Sequence, residues 1–324
     1  VKLSLIVPVY NEEESLQLLF EAIRQALDPL PHTWEVIFVD DGSQDGSLAA
    51  LKAFAQKDSA HVRVIVLRRN FGQTAAIAAG IDHAQGEIIV LLDADMQNDP
   101  ADIPMMLAKL GEGYDVVSGY RKDRKDTFTT RILPSRIANW LISVVTGVRL
   151  HDYGCTLKAY HRDVLSGFRL YGEMHRFIPV YAHAAGARIA EVPVRHHPRK
   201  YGKANYGLER TVKVLLDLFT VKFLLSYAAK PIYLFGGTGI GLMFISTLAL
   251  LVLMIRRVFF NISVLASPFF QMSVMFFILG FQSILMGLIA ELLVRTYHES
   301  QQKPTYTVRE VINGDSSANK DRLS

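Results

Sequence analysis

From Leu3 to about Val194, short apolar runs rich in β-branched residues alternate with amphipathic stretches. That alternation predicts an α/β domain of repeated βα units around a mostly parallel sheet. Strands are expected at Leu3–Val9, Glu35–Asp40, Val62–Leu67, Glu87–Leu92 and Asp115–Gly119, and helices at Glu12–Leu27, Asp45–Lys57 and Gln73–Ala84. Asp45 stands where a carboxylate accepts the orphan N–H groups of a helix start. Open sheets of this kind take ligands beyond the carboxyl ends of their strands. Polar residues gather there: Tyr10-Asn11-Glu12, Asp40-Asp41-Gly42-Ser43, Arg68-Arg69-Asn70-Phe71-Gly72 and Asp93-Ala94-Asp95.

The pattern then changes. No residue from Pro231 to Ile255 is charged, a run longer than the roughly 20 residues that cross a hydrocarbon core as a helix. After Arg256 and Arg257 a second uncharged run extends from Val258 to Ala290, and Pro268 marks the start of a second crossing. Lys213, Lys222 and Lys230 precede the pair and Arg295, Lys303 and Arg309 follow it, which favours cytoplasmic ends, although Arg256 and Arg257 in the intervening turn oppose this. The opening segment through Pro8 has neither the charged start nor the length of a signal peptide. The expectation is therefore an integral protein of the cytoplasmic membrane with its α/β domain in the cytoplasm. Two amphipathic segments suit a membrane surface, one at about 131–147 with Arg136 and Trp140, the other at 208–229 with Leu208, Val212, Leu215 and Phe219. The resulting organisation is an α/β domain over 1–207, an interfacial helix over 208–229, crossings at 231–255 and 268–290, and a cytoplasmic tail over 291–324, disordered after about Gln301.

Composition narrows the chemistry. Half of the residues are hydrophobic and mean hydropathy is +0.20, in keeping with membrane-buried length. The net charge of +4, from 35 basic against 31 acidic residues, is too small for a general nucleic-acid binder. Cys155 is the only cysteine, so an internal disulfide and a cysteine-based zinc site are both ruled out. No Gly-x-Gly-x-x-Gly follows the first strand and no Gly-x-x-x-x-Gly-Lys-Ser/Thr occurs, which disfavours dinucleotide-binding and P-loop folds.

Asp93 and Asp95 emerge where a buried strand ends. Hard oxygen ligands at that place suit Mg²⁺ or Mn²⁺ shared with phosphate oxygens, and Gln97 adds a neutral oxygen. A lone Asp-x-Asp is common by chance and most often caps a turn. Its company changes that reading: Ile6-Val7-Pro8-Val9-Tyr10-Asn11-Glu12, Val39-Asp40-Asp41-Gly42-Ser43-Gln44-Asp45-Gly46, Arg69-Asn70-Phe71-Gly72-Gln73 and Leu92-Asp93-Ala94-Asp95-Met96-Gln97 resemble, in order and spacing, family 2 glycosyltransferases of the dolichol-phosphate mannose synthase and bactoprenol glucosyltransferase group. The resemblance implies a GT-A fold in which Pro8, Tyr10, Glu12, Asp40, Asp41 and Gln73 contact the nucleotide while Asp93, Asp95 and Gln97 face the metal and diphosphate. It also implies an acceptor phosphate met by Arg121, Arg136, Arg195, Arg199 and Lys203, and a catalytic or acceptor-positioning role for Asp152. Ala204, after Lys203, departs from the hydroxyl or bulky residue that such enzymes often carry. His196 and His197 read as phosphate contacts or exposed loop residues.

The implied reaction is inverting transfer of a sugar from a nucleoside diphosphate to a polyprenyl phosphate such as undecaprenyl phosphate. Glucose from UDP-glucose is the first expectation, with GDP-mannose, a UDP-linked modified arabinose and UDP-GlcNAc as alternatives. A processive polysaccharide synthase would carry Gln-x-x-Arg-Trp, whereas neither Trp34 nor Trp140 follows an arginine. A silent sugar-nucleotide sensor or scaffold would lose the carboxylates or the basic loop, and both are present. A homo-oligomer, such as a tetramer, is also expected.

Overall fold

Four parallel strands form the centre of the sheet: β1 (Leu3–Val9), β2 (Trp34–Asp40), β3 (Val62–Leu67) and β4 (Ile88–Leu91). β2 and β4 are buried along their whole length, as parallel strands covered on both faces should be. Pro8, which has no N–H, lies beyond the end of the β4 pairing and is matched only with Val39 of β2. The computed structural model describes residues 2–122, 133–165, 170, 174–198, 218, 232–260, 263–264, 267–300 and 305–314.

Three more strands extend the β4 side. β6 (Lys158–His161) runs antiparallel to β4 and to β5 (Val116–Arg121), and β7 (Ile189–Val194) is parallel to β5. The order across the sheet is β7-β5-β6-β4-β1-β2-β3, with β8 (Val308–Ile312) at the β3 edge. Helices α1 (Glu13–Leu27), α2 (Ser47–Lys57), α3 (Gln73–His83), α4 (Ile103–Gly111), α5 (Leu133–Thr146) and α6 (Ile178–Ala184) accompany these strands. α1 buries Leu16, Leu19, Phe20, Ile23 and Leu27 at helical spacing. Phe20 stacks on Phe54 of α2 at 4.7 Å and meets Phe38 of β2 edge-on at 6.4 Å. Removing such a ring costs about 3–5 kcal/mol. α3 lies close on the sheet because Gly80 has no side chain: a Cβ there would come within 2.3 Å of Ile6 Cγ2.

The tail corrects the expectation of disorder after Gln301. β8 (Val308–Ile312) pairs antiparallel with β3 and closes that edge of the sheet. Its five residues alternate weakly, and the polar Ser, Asn and Asp around them outweigh a strand so short. The α/β unit is accordingly discontinuous, formed by Val1–Val221 with Pro304–Ser324.

The second unit, Lys222–Lys303, contains α7 (Ile232–Phe260) and α8 (Pro268–Ser300). Each includes a span long and apolar enough to cross a membrane, Tyr233–Phe259 and Pro268–Ala290. α7 carries on through Arg256 and Arg257, so those residues sit in its last turns and not in the connecting turn. The two helices meet at glycines. A Cβ on Gly239 would lie 2.5 Å from Gly280 O, and one on Gly280 would lie 2.6 Å from Gly239 O. Beside this contact Ser283 Oγ donates to Phe235 O at 2.8 Å, and further along Ser246 Oγ donates to Ser273 O at 2.6 Å. Small residues and interhelical hydroxyl bonds are how apolar helices associate where lipid removes the hydrophobic incentive. The expected interfacial helix at 208–229 lies outside the described residues except for Leu218, which is helical and buried.

Candidate active site

The strand-end loops are built to hold one another. Asn11 takes φ +54°, its Oδ1 accepts Gln44 N at 2.7 Å, and its own N–H donates to Ser43 Oγ at 3.1 Å. Gly42, at φ +72°, lets the β2–α2 turn pass the backbone of Arg69 and Asn70, where a Cβ would be 2.7–2.8 Å from main-chain atoms. Asp41 then accepts Phe71 N at 2.7 Å and Gly72 N at 2.9 Å. Burial raises its pKa against the lowering effect of those two N–H groups. Asp41 was expected to contact nucleotide; in the structure its two oxygens organise the Arg69–Gly72 loop, in which the Arg69 guanidinium lies 4.2 Å from the centre of the Phe71 ring. Asp45 precedes α2, which begins at Ser47, and accepts Ser47 N at 2.9 Å.

Along the rim formed by these loops, Tyr10 is exposed, Pro8 and Glu12 are half-buried, and buried Asp40 accepts Ser43 N at 3.3 Å. Beyond β4 the chain turns through Met96 at φ +59°, strain of the kind that gathers at functional sites. Asp93 Oδ1 accepts Gln73 Nε2 at 2.7 Å, and its Oδ2 accepts Thr156 Oγ1 at 2.6 Å. Gln73 is the first residue of α3. Asp95 is buried, and its Oδ1 accepts Gln97 N at 3.1 Å.

Burial, reinforced by the charge of Asp95, pushes the Asp93 carboxyl up to about 6; the Thr156 hydroxyl, Lys158 and Arg121 pull in the opposite direction. Two carboxylates facing like charge in a buried place are a fit for a divalent cation. Among the described residues no group of three His, Cys, Asp or Glu side chains could complete a metal site. The donor set suits a hard cation whose remaining positions are filled by phosphate oxygens and water.

Sequence reasoning missed Thr156 and Lys158. Lys158 opens β6 and Thr156 lies two residues before it; the strand is hidden from a pattern search by its four-residue length and by the lysine at its start. Lys158 is fully buried, and its ammonium donates to Tyr153 O at 3.1 Å and to Cys155 O. Burial lowers its pKa. It shapes the Asp152–Thr156 loop from beneath. In that loop burial pushes the Cys155 thiol up to about 11, leaving it neutral.

Arg121 and Asp152, separately expected to act on the acceptor, are brought together as a buried pair. Arg121 Nε donates to Asp152 Oδ2 at 2.6 Å and Nη2 to Oδ1 at 2.9 Å. A carboxylate in this bidentate grip fixes the plane and direction of the arginine. Arg195, also expected at the acceptor, is held by Asp102 through its backbone N–H at 2.7 Å and its Nε at 2.8 Å, and pairs with Asp99 at 3.2 Å. His197 N donates to Gln97 O at 2.8 Å. The segment leading to the basic loop is thereby strapped to the segment that follows Asp95. Arg199 and Lys203 lie outside the described residues, as does the side chain of Arg136 in α5.

The family model "Glycosyl transferase family 2" matches residues 4–168. Dodecaprenyl-phosphate galacturonate synthase of Rhizobium johnstonii is 41% identical over 98% of this chain and 95% of its own. Undecaprenyl-phosphate 4-deoxy-4-formamido-L-arabinose transferase of an Enterobacter species is 37% identical over 96% and 94%. Among solved structures, glucosyl-3-phosphoglycerate synthase from Mycobacterium tuberculosis in complex with Mn²⁺, UDP and glucosyl-3-phosphoglycerate superposes with a TM-score of 0.52 at 18% identity, over 69% of this chain and 79% of that one. That likeness bears on the fold, which is the expected GT-A arrangement. A carboxylate pair at the end of β4, a mostly parallel sheet with its polar loops at one edge and a match over half the chain lead to one assignment: the protein belongs to glycosyl transferase family 2.

Proposed function

We propose that the protein transfers a sugar from a nucleoside diphosphate to a polyprenyl phosphate at the cytoplasmic face of the membrane, with inversion at the anomeric carbon. The observation that carries this reading is the Asp93–Asp95 pair, set by Gln73 and Thr156 at the ligand edge of the sheet, in a chain that aligns over almost its full length with two polyprenyl-phosphate sugar transferases. Neither of those names involves glucose, so the UDP-glucose expectation is replaced as first choice by a galacturonate or 4-deoxy-4-formamido-arabinose donor, with glucose kept in the test panel.

Asp93 and Asp95, with Gln97 nearby, would hold a divalent cation that supplies Lewis-acid stabilisation to the departing diphosphate. Pro8, Tyr10, Glu12 and Asp40 line the rim on which the base and ribose rest. Gln73 and Thr156 fix the orientation of Asp93. Arg121, oriented by Asp152, presents a fixed cation toward the acceptor side, where Arg199 and Lys203 would join it. A phosphate monoester is largely ionised at neutral pH because its second pKa is about 6. No strong general base is needed, which agrees with Asp152 being committed to Arg121.

α7 and α8 would span the bilayer and keep the catalytic unit beside a lipid acceptor. Trp140 and Val144 of α5, exposed at 65% and 61%, would rest at the headgroup level. The outward apolar faces of the hairpin are suited to a homo-oligomer. The reading is tested by incubating purified protein, undecaprenyl phosphate and Mn²⁺ with radiolabelled UDP-galacturonate, UDP-formamido-arabinose, UDP-glucose, UDP-GlcNAc and GDP-mannose, then extracting lipid. One donor is expected to label the lipid phase; nucleotide binding with no labelled lipid from any donor would overturn the reading in favour of a sensor.

A further inference from the structure

The segment leading into β8, after the hairpin in sequence, contacts the last turn of the helix that carries Gln73 and the end of the strand before it. Thr307 O accepts Arg68 N at 3.0 Å, fixing the residue at which β3 opens into the Arg69–Gly72 loop. The β3–β8 ladder is bulged at Val66 and Leu67 immediately before that point, a device that re-aims a strand end. Tyr306 is buried, and its hydroxyl donates to Asp82 Oδ2 at 2.8 Å in the last turn of α3. At the other end of α3, Gln73 binds Asp93, while Phe71 and Gly72 are gripped by Asp41. The far end of β8 does something else. Asn313 Nδ2 donates to Ala55 O at 2.7 Å and Val62 O at 3.0 Å, at the amino end of β3, away from the ligand edge.

We propose that Tyr306 and Thr307 are positioning residues for the donor site, setting α3 and the Arg69–Gly72 loop so that Gln73 meets Asp93. A hydrogen bond to a carboxylate is among the stronger neutral-to-charged contacts, and here it pins a helix whose opposite end touches the candidate cation site. The two ends of one strand thus have separable duties, donor geometry at Tyr306–Thr307 and fold stability at Asn313.

The test uses the full-length protein in detergent with four variants: Tyr306→Phe, Asp82→Leu, which removes the same bond from the helix side, Asp82→Asn and Asn313→Ala. Amide hydrogen exchange over residues 69–76 is read without ligand, and donor KM, acceptor KM and kcat are read with the donor that labels lipid. Tyr306→Phe and Asp82→Leu are expected to speed exchange in that segment and raise donor KM about fivefold, with acceptor KM and kcat within about twofold. Asp82→Asn, which keeps an acceptor oxygen, should restore near-native values. Asn313→Ala should lower the unfolding temperature and leave both readouts alone. Unchanged exchange over 69–76 in Tyr306→Phe, or an equal rise in donor KM in Asn313→Ala, would overturn the proposal. The kinetic arm rests on the transfer reading above; if wild type labels no lipid, that reading fails while exchange still decides the role of Tyr306.

Discussion

Replacing Asp93 with asparagine should stabilise the cation-free protein while abolishing its response to cations. The Asp93 carboxyl is raised from 3.8 to about 6 by burial and by Asp95, so in the absence of a cation the folded state holds its proton more tightly than the unfolded chain does. Stability is therefore lost as pH rises from about 4 to about 6, and the loss is complete above 6. At 1.36 kcal/mol per pKa unit the shift corresponds to ~3 kcal/mol, an upper bound because Asp93 is partly exposed and shares its titration with Asp95. The substituted amide carries no charge, and it can satisfy Thr156 and a reoriented Gln73. For a unit of this size 1 kcal/mol moves the unfolding midpoint by about 2–4 °C. Thermal unfolding followed by tryptophan fluorescence in EDTA should show Asp93→Asn several degrees above wild type at pH 8 and level with it near pH 4. Adding Mn²⁺ and UDP at pH 8 should raise wild type alone. If the Asp93→Asn variant melted below wild type at pH 8 in EDTA, or if the difference were independent of pH, the electrostatic argument would be refuted.

Thr156→Val removes a hydroxyl that favours the charged Asp93; a bond of this kind is worth about 1.5–3 kcal/mol, so Mn²⁺ affinity measured by titration calorimetry with UDP should fall at least tenfold at pH 7. Asp152→Ala leaves Arg121 buried without its carboxylate and should cost about 3–5 kcal/mol, read as a lower unfolding midpoint, whereas an Arg121→Met/Asp152→Leu double variant should recover most of that stability and none of the activity. In the hairpin, Gly280→Leu drives a side chain into the Gly239 backbone and should cost about 1–3 kcal/mol, seen as loss of disulfide trapping between cysteines introduced at Ser246 and Ser273.

Much of the donor side was legible because its residues announce themselves locally. Strand ends at Val9, Asp40, Leu67 and Leu91 follow from continuous apolar runs, and the motifs are contiguous with them. The same locality explains what was hidden. The contact between Thr156 and Asp93 crosses 63 residues, and no periodicity announces it. Arg121 and Asp152 each read as basic or acidic residues near a phosphate, but their mutual pairing depends on how β5 and the loop before β6 come together. Arg195 groups with Arg199 and Lys203 by adjacency, and its ion pairs with Asp99 and Asp102 reach across 93–96 residues that no local pattern connects. β8 was obscured by its polar surroundings and by an intervening hairpin that suggested the domain had ended.

The central claim is transfer to a lipid phosphate under control of the carboxylate pair. Its most direct measurement is the release of nucleoside diphosphate alongside butanol-extractable sugar by purified protein given undecaprenyl phosphate, with Mn²⁺ or excess EDTA, for wild type and Asp95→Asn. Wild type with Mn²⁺ should place one sugar in lipid per diphosphate released, and chelation or Asp95→Asn should cost at least a hundredfold, about 3 kcal/mol of barrier. Full lipid labelling by Asp95→Asn in EDTA would contradict the claim.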